Sequence, residues 1–403
     1  MKKIAFVVLF LTASLSAFAQ KFDYNVGFSY LLNNYEHGIS RYIDNGQSVY
    51  PYQYSHTLHG VSLTPEVGLL VAQSPSVYHR LRIGIDVFKQ MGEQQDNLSL
   101  FKEMLVYYQL EARFVNEGSL EAYAGCFPRR ALSGTGYLGP VYDSEFEFLD
   151  PNLEGFLVKY SRGNKIRAEL ALDWQGMLGD AFSPLRRERF QALSDGSWRF
   201  AGDFSFGWTV SVSHYSKSPL CDNVVDYSLV NPRISWAPET WFDDCLLELG
   251  GIFSYQCDRA ADPTPVFPMG LWSRQGLGKW KVAIDNRFYF GDDLMPFYGS
   301  SFEGIPYGRD LYRAAAGFHT LRDVPSWADW VTVSYRPKIA KWISLDLAVT
   351  MHLGQPNEAL GTGVLRGSDQ RIGLRVNLDA FRPHPRVPRK APSIFNPRKN
   401  QKI

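Results

Sequence analysis

The most informative gap in this 403-residue sequence is its shortage of long apolar runs. After the first twenty residues, no stretch reaches the roughly 18 uninterrupted apolar residues that a membrane-spanning helix needs. Long Leu/Ala-rich helical runs are nearly missing too, although aromatic residues make up 15% of the chain. The composition therefore favours strands, in a large β-sandwich, a propeller or a membrane barrel. A propeller would show a repeat of about 40 to 50 residues, and none is visible.

The motifs of common enzymes are also missing. The chain has no G-x-S-x-G elbow, no H-E-x-x-H and no phosphate-binding glycine loop. Its four cysteines match no metal-site spacing. Barrel hydrolases use Ser–His or Asp–His pairs, and His56, His59, His214 and His352 could serve, but a lone histidine is far more often a hydrogen-bonding group. We therefore expect no enzyme, no cofactor, no metal and no nucleic-acid partner.

The two ends differ from the body of the chain. Lys2 and Lys3 precede a short apolar run, and Ala17-Phe18-Ala19 ends it, which predicts a cleaved signal peptide over 1–19. Residues 382–403 hold seven basic residues, five prolines and no acidic residue, whereas 20–381 is acidic. We expect this segment to be a periplasmic tail. It is either a solvated extension or a binding segment for peptidoglycan or a periplasmic partner.

The segment Ile166–Gln175 shows the pattern that repeats along the body. Its apolar side chains alternate with Arg167, Glu169 and Asp173, so a strand here has one apolar face and one charged face. A soluble sheet would bury the apolar face, whereas a membrane barrel would turn it to lipid and line a lumen with the charges.

The spacing of turns favours the barrel. We predict strands at 22–30, 57–72, 77–89, 99–114, 119–127, 152–161, 166–175, 187–200, 204–215, 224–236, 245–257, 265–275, 280–290, 328–336, 342–353 and 369–381. Short turns and long loops alternate between them, as in an antiparallel up-and-down transmembrane barrel. We expect an all-β barrel of about 16 strands (14–18) over 20–381, with Leu311–Phe318 as a candidate for one further strand.

The charged face predicts which residues line the pore. These are Arg82, Asp86, Arg167, Glu169, Asp173, Asp285, Arg287, Arg371 and Arg375. A water-filled lumen tolerates such charges, and a barrel of this size has room for a channel. The alternative is that they pair with one another and close the barrel.

The long loop 128–150 is the third outer loop in this topology. In general porins the third loop folds into the barrel and narrows it, so we expect a constriction loop carrying Arg129, Arg130, Asp143, Glu145 and Glu147. Tyr137 and Tyr142 could stack on sugars there. A solvated surface loop is the alternative. A disulfide between Cys221 and Cys257, in neighbouring outer loops, is plausible for an exported protein, as are free thiols.

Several segments resemble a known class of proteins. They are Phe127-Pro128-Arg129-Arg130, Asp150-Pro151-Asn152-Leu153-Glu154-Gly155, Asp173-Trp174-Gln175-Gly176 and Arg186-Arg187-Glu188-Arg189-Phe190. Over about 120–235 the chain resembles outer-membrane barrel proteins of the Bacteroidota, which implies a porin-like barrel with no assigned chemistry. The amphipathic last strand, ending at Phe381, is similar to the terminal signal of bacterial outer-membrane barrels, except that 22 residues follow it.

These observations predict a porin-like protein of the cell outer membrane, in contact with its lipid. It would pass small polar solutes or oligosaccharides by diffusion. The alternative is a non-conducting barrel that presents its loops for adhesion or assembly.

Overall fold

The fold is taken from a computed structural model of the full chain. It describes residues 19–378 apart from 38–41, 45–46, 50–54, 93–99, 116, 178–186, 261, 321–324, 338 and 357–362. The predicted signal peptide, apart from Ala19, and the predicted basic tail lie outside the described residues. Among the described residues, no helix is both long and apolar enough to cross a membrane.

In the described part of the chain, sixteen antiparallel strands form one closed barrel, and a short extra strand, Asp262–Val266, pairs with the end of the eleventh. They are β1 (Ala19–His37), β2 (His56–Ser74), β3 (Val77–Gln90), β4 (Phe101–Arg113), β5 (Gly118–Pro128), β6 (Asn152–Arg162), β7 (Ile166–Gly176), β8 (Arg189–Ala201), β9 (Phe204–Tyr215), β10 (Val225–Trp236), β11 (Asp244–Asp258), β12 (Met269–Lys279), β13 (Val282–Gly291), β14 (Ser326–Tyr335), β15 (Ile343–Gly354) and β16 (Leu365–Asn377). Each strand pairs with the next, and β1 pairs with β16 in a register that places Gly27 opposite Asn377. The predicted sixteen-strand barrel is confirmed.

Burial along the strands is the reverse of that in a soluble protein. On β7, Leu170 is 51% exposed while Glu169 and Asp173 are 3% and 2% exposed. On β11, Leu249 is 63% exposed while Gln256 is fully buried. Apolar side chains therefore form the outer wall and polar side chains the interior, which is the arrangement that a lipid environment requires.

Aromatic side chains cluster at both ends of the outer wall. At the short-turn end, Phe204 stacks on Trp236 with 6.2 Å between ring centroids, and Trp241 lies edge-on to Trp280. At the long-loop end, Trp174 stacks on Phe190 at 5.6 Å. Amphipathic rings at two levels are typical of the two interfaces of a bilayer.

Some predicted boundaries differ from the structure. β1 continues to His37, seven residues beyond the predicted end, because its second half pairs with both β2 and β16. β12 and β16 are each displaced by about four residues, and Phe381 lies outside the described part of the chain. Residues 311–318 do not form a further barrel strand: single turns at Gly308–Leu311 and Ala316–Phe318 flank a short segment whose Arg313 forms an isolated bridge with Tyr142.

Two long loops enter the barrel. We call residues 129–151 loop L3 and residues 292–325 loop L7; L3 contains the short helix α1 (Ser144–Leu149). Tyr137 of L3 and Phe318 of L7 are fully buried, in a cluster with inward side chains such as Leu157 and Leu193. The main apolar core of this protein therefore lies inside the lumen, between the two loops and the wall of β4–β14.

Candidate functional site

The base of L3 is fixed by one buried arginine. Arg129 is 2% exposed, and its Nη1 lies 2.9 Å from Oδ2 of Asp173 on β7. Its Nη2 lies 3.1 Å from Oδ2 of Asp150 and donates to the carbonyl oxygen of Asn152 at 2.8 Å. Both ends of L3 and the neighbouring wall are thus tied to a single guanidinium group.

The middle of L3 is held by a carboxylate of the wall. Glu169 accepts hydrogen bonds from the backbone N–H and hydroxyl of Ser133 at 2.8 and 2.7 Å, and from the N–H of Gly134 at 2.7 Å. A little further on, a Cβ on Gly136 would lie 1.9 Å from Oγ1 of Thr209. The loop backbone therefore rests directly on β9, and only glycine fits at this contact.

L3 also reaches the opposite wall. Arg130, whose side chain is 45% exposed, extends to Glu66 on β2, with Nη2 and Oε1 3.0 Å apart. Glu66 also accepts hydrogen bonds from Asn25 and Tyr107 and lies 3.5 Å from Arg82. With contacts to β7 and β9 on one side and β2 on the other, L3 spans the lumen as a partition.

The carboxylate of Asp143 caps the N-terminus of helix α1. Asp143 accepts a hydrogen bond from the N–H of Phe146 at 2.8 Å, which satisfies a free donor of the first turn. Burial raises the pKa of Asp143 to about 7. The next acidic residue, Glu145, pairs with His56 at the end of β2 at 3.1 Å.

Loops L3 and L7 are joined by backbone hydrogen bonds. The N–H of Asp143 donates to the carbonyl of Arg313 at 2.8 Å, and that of Ala315 to the carbonyl of Gly139 at 2.9 Å. L7 is in turn fixed to the wall, since Tyr215 donates to the carbonyl of Leu311 and Tyr312 to the side chain of Gln256, both at 2.7 Å. The two loops therefore form one assembly that fills part of the lumen.

A cavity of about 330 Å³ remains beside this assembly. It lies between L3 and the wall of β12–β16, with Tyr35 of β1 at its edge. Its charged lining residues are Arg129, Arg130, Asp143, Glu147, Arg274, Asp285, Arg287, Arg336, Asp369 and Arg371. Trp272, Phe318 and Trp330 also line this space, which is bounded on one side by an inserted loop and on the other by the barrel wall.

Comparison with known proteins adds little beyond this architecture. No family model and no curated protein matches the chain. Among solved structures, an outer membrane protein OmpT variant of Vibrio cholerae is 11% identical, with 89% of this chain and 99% of that chain covered and a TM-score of 0.49. The outer membrane channel DcaP of Acinetobacter baumannii is 10% identical, with 89% of this chain and 97% of that chain covered and a TM-score of 0.46. An anion-selective porin from Comamonas acidovorans is also 10% identical, with 89% of this chain and 100% of that chain covered and a TM-score of 0.46. We draw no functional conclusion from similarities at this level.

The residues predicted to line the pore fall into three groups. Asp285, Arg287 and Arg371 border the cavity. Arg82, Asp86, Arg167, Glu169 and Asp173 point inward but lie away from the cavity, because they are engaged by L3 or by neighbouring wall residues. Arg375 lies on the same face of β16 as Arg371, but it is exposed.

The predicted constriction residues all belong to the inserted loop. Arg129, Arg130, Asp143 and Glu147 border the cavity, and Glu145 points to His56. Tyr137 is fully buried beside Tyr142, which is 6% exposed, with 6.0 Å between their ring centroids. The hypothesis that Tyr137 stacks on sugars is therefore wrong, because its ring is part of the core.

Sequence reasoning missed several residues of the cavity wall. Arg274, Arg336 and Asp369 are among them. Asp369 pairs at 2.6 Å with His352, one of the histidines that the sequence indicates as hydrogen-bonding groups. A signal was available for Arg336, since it continues the inward series of Trp330, Thr332 and Ser334 on β14. Loop L7 gave no such signal, because its inward position depends on tertiary contacts.

The predicted disulfide between Cys221 and Cys257 is not present, since all four cysteines are free thiols. Sγ of Cys221 lies 3.9 Å from Oδ1 of Asn223, whereas Cys257 approaches the carbonyl of Pro263. Gln256 and Asp258 are fully buried inside the barrel, so Cys257 between them faces the other way. Cys221, in the loop between β9 and β10, packs in the core inside the lumen instead, so the two thiols point away from each other.

The titratable clusters outside the cavity have structural partners. His214 pairs with Asp226 at 2.7 Å, and Asp226 also accepts from Arg259. In the part of the chain that the structure describes, no three His, Cys, Asp or Glu side chains come together in a way that could hold a metal ion. The prediction that the protein is not an enzyme stays a prediction.

Proposed function

We propose that this chain is a porin-like channel of a bacterial outer membrane that passes small polar solutes, up to the size of short oligosaccharides, by passive diffusion. The observation that carries the proposal is the polar cavity of about 330 Å³ between L3 and the wall of β12–β16. Its volume is within the range of small-molecule sites. The apolar outer wall with its aromatic ends supports placement in a lipid bilayer. The resemblance to Bacteroidota barrels stays a prediction about its source.

One observation favours a second candidate. The core formed by L3 and L7 closes a large part of the lumen with fully buried side chains such as Tyr137 and Phe318. A barrel filled in this way could be a non-conducting scaffold whose loops serve adhesion or assembly.

Single-channel recording of the purified protein in a planar bilayer separates the two candidates. We expect conductance steps of uniform size, together with swelling of proteoliposomes in isotonic monosaccharide. The variant Glu169→Ala should give larger steps, because L3 would lose the acceptor of three hydrogen bonds. Glu111→Ala is the control, since Glu111 pairs with Arg80 on the wall and does not border the cavity. A folded barrel that gives no steps and no swelling would refute the channel and leave the scaffold.

A further inference from the structure

Four arginines share two carboxylates on the wall that faces L3. Asp285 accepts from Nε and Nη2 of Arg274 at 2.7 and 3.2 Å and from Nε of Arg287 at 3.0 Å. Asp346 pairs with Nε of Arg336 at 2.8 Å and with Nη2 of Arg371 at 3.1 Å. Each carboxylate is thus held between two guanidinium groups, and this wall carries more positive than negative charge.

Three of these arginines keep unused donors toward the cavity. Within the described part of the chain, Arg287 and Arg336 each give one side-chain nitrogen, Nε, to a carboxylate. Arg371 gives Nη2, and its Nε is buried without a hydrogen-bond partner. A guanidinium group has five N–H donors and no acceptor, so Arg287 and Arg336 each retain their two Nη groups as a fork of donors suited to a planar or tetrahedral oxyanion, whereas Arg371 adds its Nη1.

The acidic side chains that border the cavity are less available to a solute than these arginines. Asp285 is enclosed by its two arginines, Asp369 is 2.6 Å from His352, and Asp143 caps helix α1. Of the acidic residues that border the cavity, Glu147 alone has no side-chain hydrogen bond or ion pair with another described residue. Across the cavity, Arg130 adds another exposed guanidinium group, paired with Glu66.

The register of the wall arranges the arginines in steps. Arg287 on β13 lies opposite Trp330 on β14. Arg371 on β16 lies opposite Ala348 on β15, and Ala348 lies opposite Ser334 on β14. Trp330 and Ser334 are four residues apart, so the two levels are separated by about 13 Å along the strand. Thr332 and Thr350, which share a hydrogen bond of 3.0 Å, lie between them. Short polar side chains thus separate two groups of cationic donors along the passage.

We propose that this arginine wall makes the passage selective for anions and gives it two successive binding positions for small oxyanions, either organic carboxylates or phosphate. The inference rests on the proposed channel function and names the class of solute. An anion leaving Arg287 would meet Arg336 and Arg371 next, with Arg130 facing it from L3.

The reversal potential of the full-length protein in a planar bilayer under a KCl gradient tests the selectivity. We expect chloride to permeate better than potassium. A unit charge about 7 Å from an ion in a water-filled passage changes the local concentration of anions about threefold in one direction and that of cations about threefold in the other. Arg336→Gln and Arg287→Gln should therefore each lower the anion-to-cation permeability ratio by about sevenfold. Both variants leave each carboxylate one arginine partner, Asp346 with Arg371 and Asp285 with Arg274. Arg80→Gln, which removes the same charge outside the cavity, should leave the ratio unchanged.

Phosphate and acetate, added separately at constant chloride activity, distinguish the two sources of oxyanion. Whichever anion the wall binds should reduce the chloride current, and the reduction should disappear in Arg336→Gln. Equal permeability of the two ions, cation selectivity, or the same loss in Arg80→Gln would overturn the inference while leaving the channel intact. A silent barrel would instead overturn the proposed function. Binding of either anion to the same sample, measured by isothermal titration calorimetry and lost in Arg336→Gln, would then still support the binding positions, and its absence would refute them.

Discussion

Arg129 and Arg130 are adjacent in the sequence, yet we expect their removal to have very different effects on stability. Arg129 and its partner Asp173 are each 2% exposed. Replacing Arg129 with Met leaves a buried carboxylate without its cation, which costs about 3 to 5 kcal/mol. Arg130 is 45% exposed, and Glu66 would keep its contacts with Arg82, Tyr107 and Asn25. Arg130→Met should therefore cost about 1 kcal/mol or less.

Urea unfolding of the barrel in lipid vesicles, followed by tryptophan fluorescence, measures both changes by linear extrapolation. Far-ultraviolet circular dichroism before unfolding confirms that each variant has formed its strands. A double variant, Arg129→Met with Asp173→Asn, should recover part of the loss, because the buried charge is then removed as well. Equal losses for the two single variants, or a loss below about 1 kcal/mol for Arg129→Met, would refute the assignment of Arg129 as the anchor of L3.

Two further predictions concern the position of L3. Gly136→Ala should displace the loop from β9 and raise the conductance or its fluctuations, because the added Cβ would lie 1.9 Å from Oγ1 of Thr209. The control is Gly363→Ala, which should change neither, because no atom lies within 4 Å of its added Cβ. Unchanged recordings for Gly136→Ala would contradict the contact. Burial raises the pKa of Asp143 from 3.8 to about 7, so the protonated group favours the seated loop, and this contribution is lost as the pH rises through about 7. Current fluctuations should then increase as the pH rises from about 4 to about 7 and become insensitive to pH over that interval in Asp143→Asn, which still caps the helix. An unaltered pH response in that variant would exclude Asp143 as the cause.

The sequence by itself determined the strands and their number. A strand sends successive side chains to opposite faces, so the alternation of Leu170 with Glu169 and Ala171 is a local property that needs no knowledge of the partner strands. The alternation of short turns and long loops then fixed the antiparallel order. Boundaries were less secure, as at β1, where residues 31–37 are ordered by pairing with strands on both sides.

Only the tertiary structure decided what occupies the lumen. Nothing local in 292–325 indicates that Leu311 and Phe318 are buried against the far wall, since those contacts join residues distant in sequence. The charges on the inner face were predictable, but not their roles. Glu169 and Asp173 meet L3 and became its anchors, whereas Arg287 and Arg371 face the remaining space. Alternation assigns a side chain to a face, and only the folded loops determine which part of that face stays open to a solute.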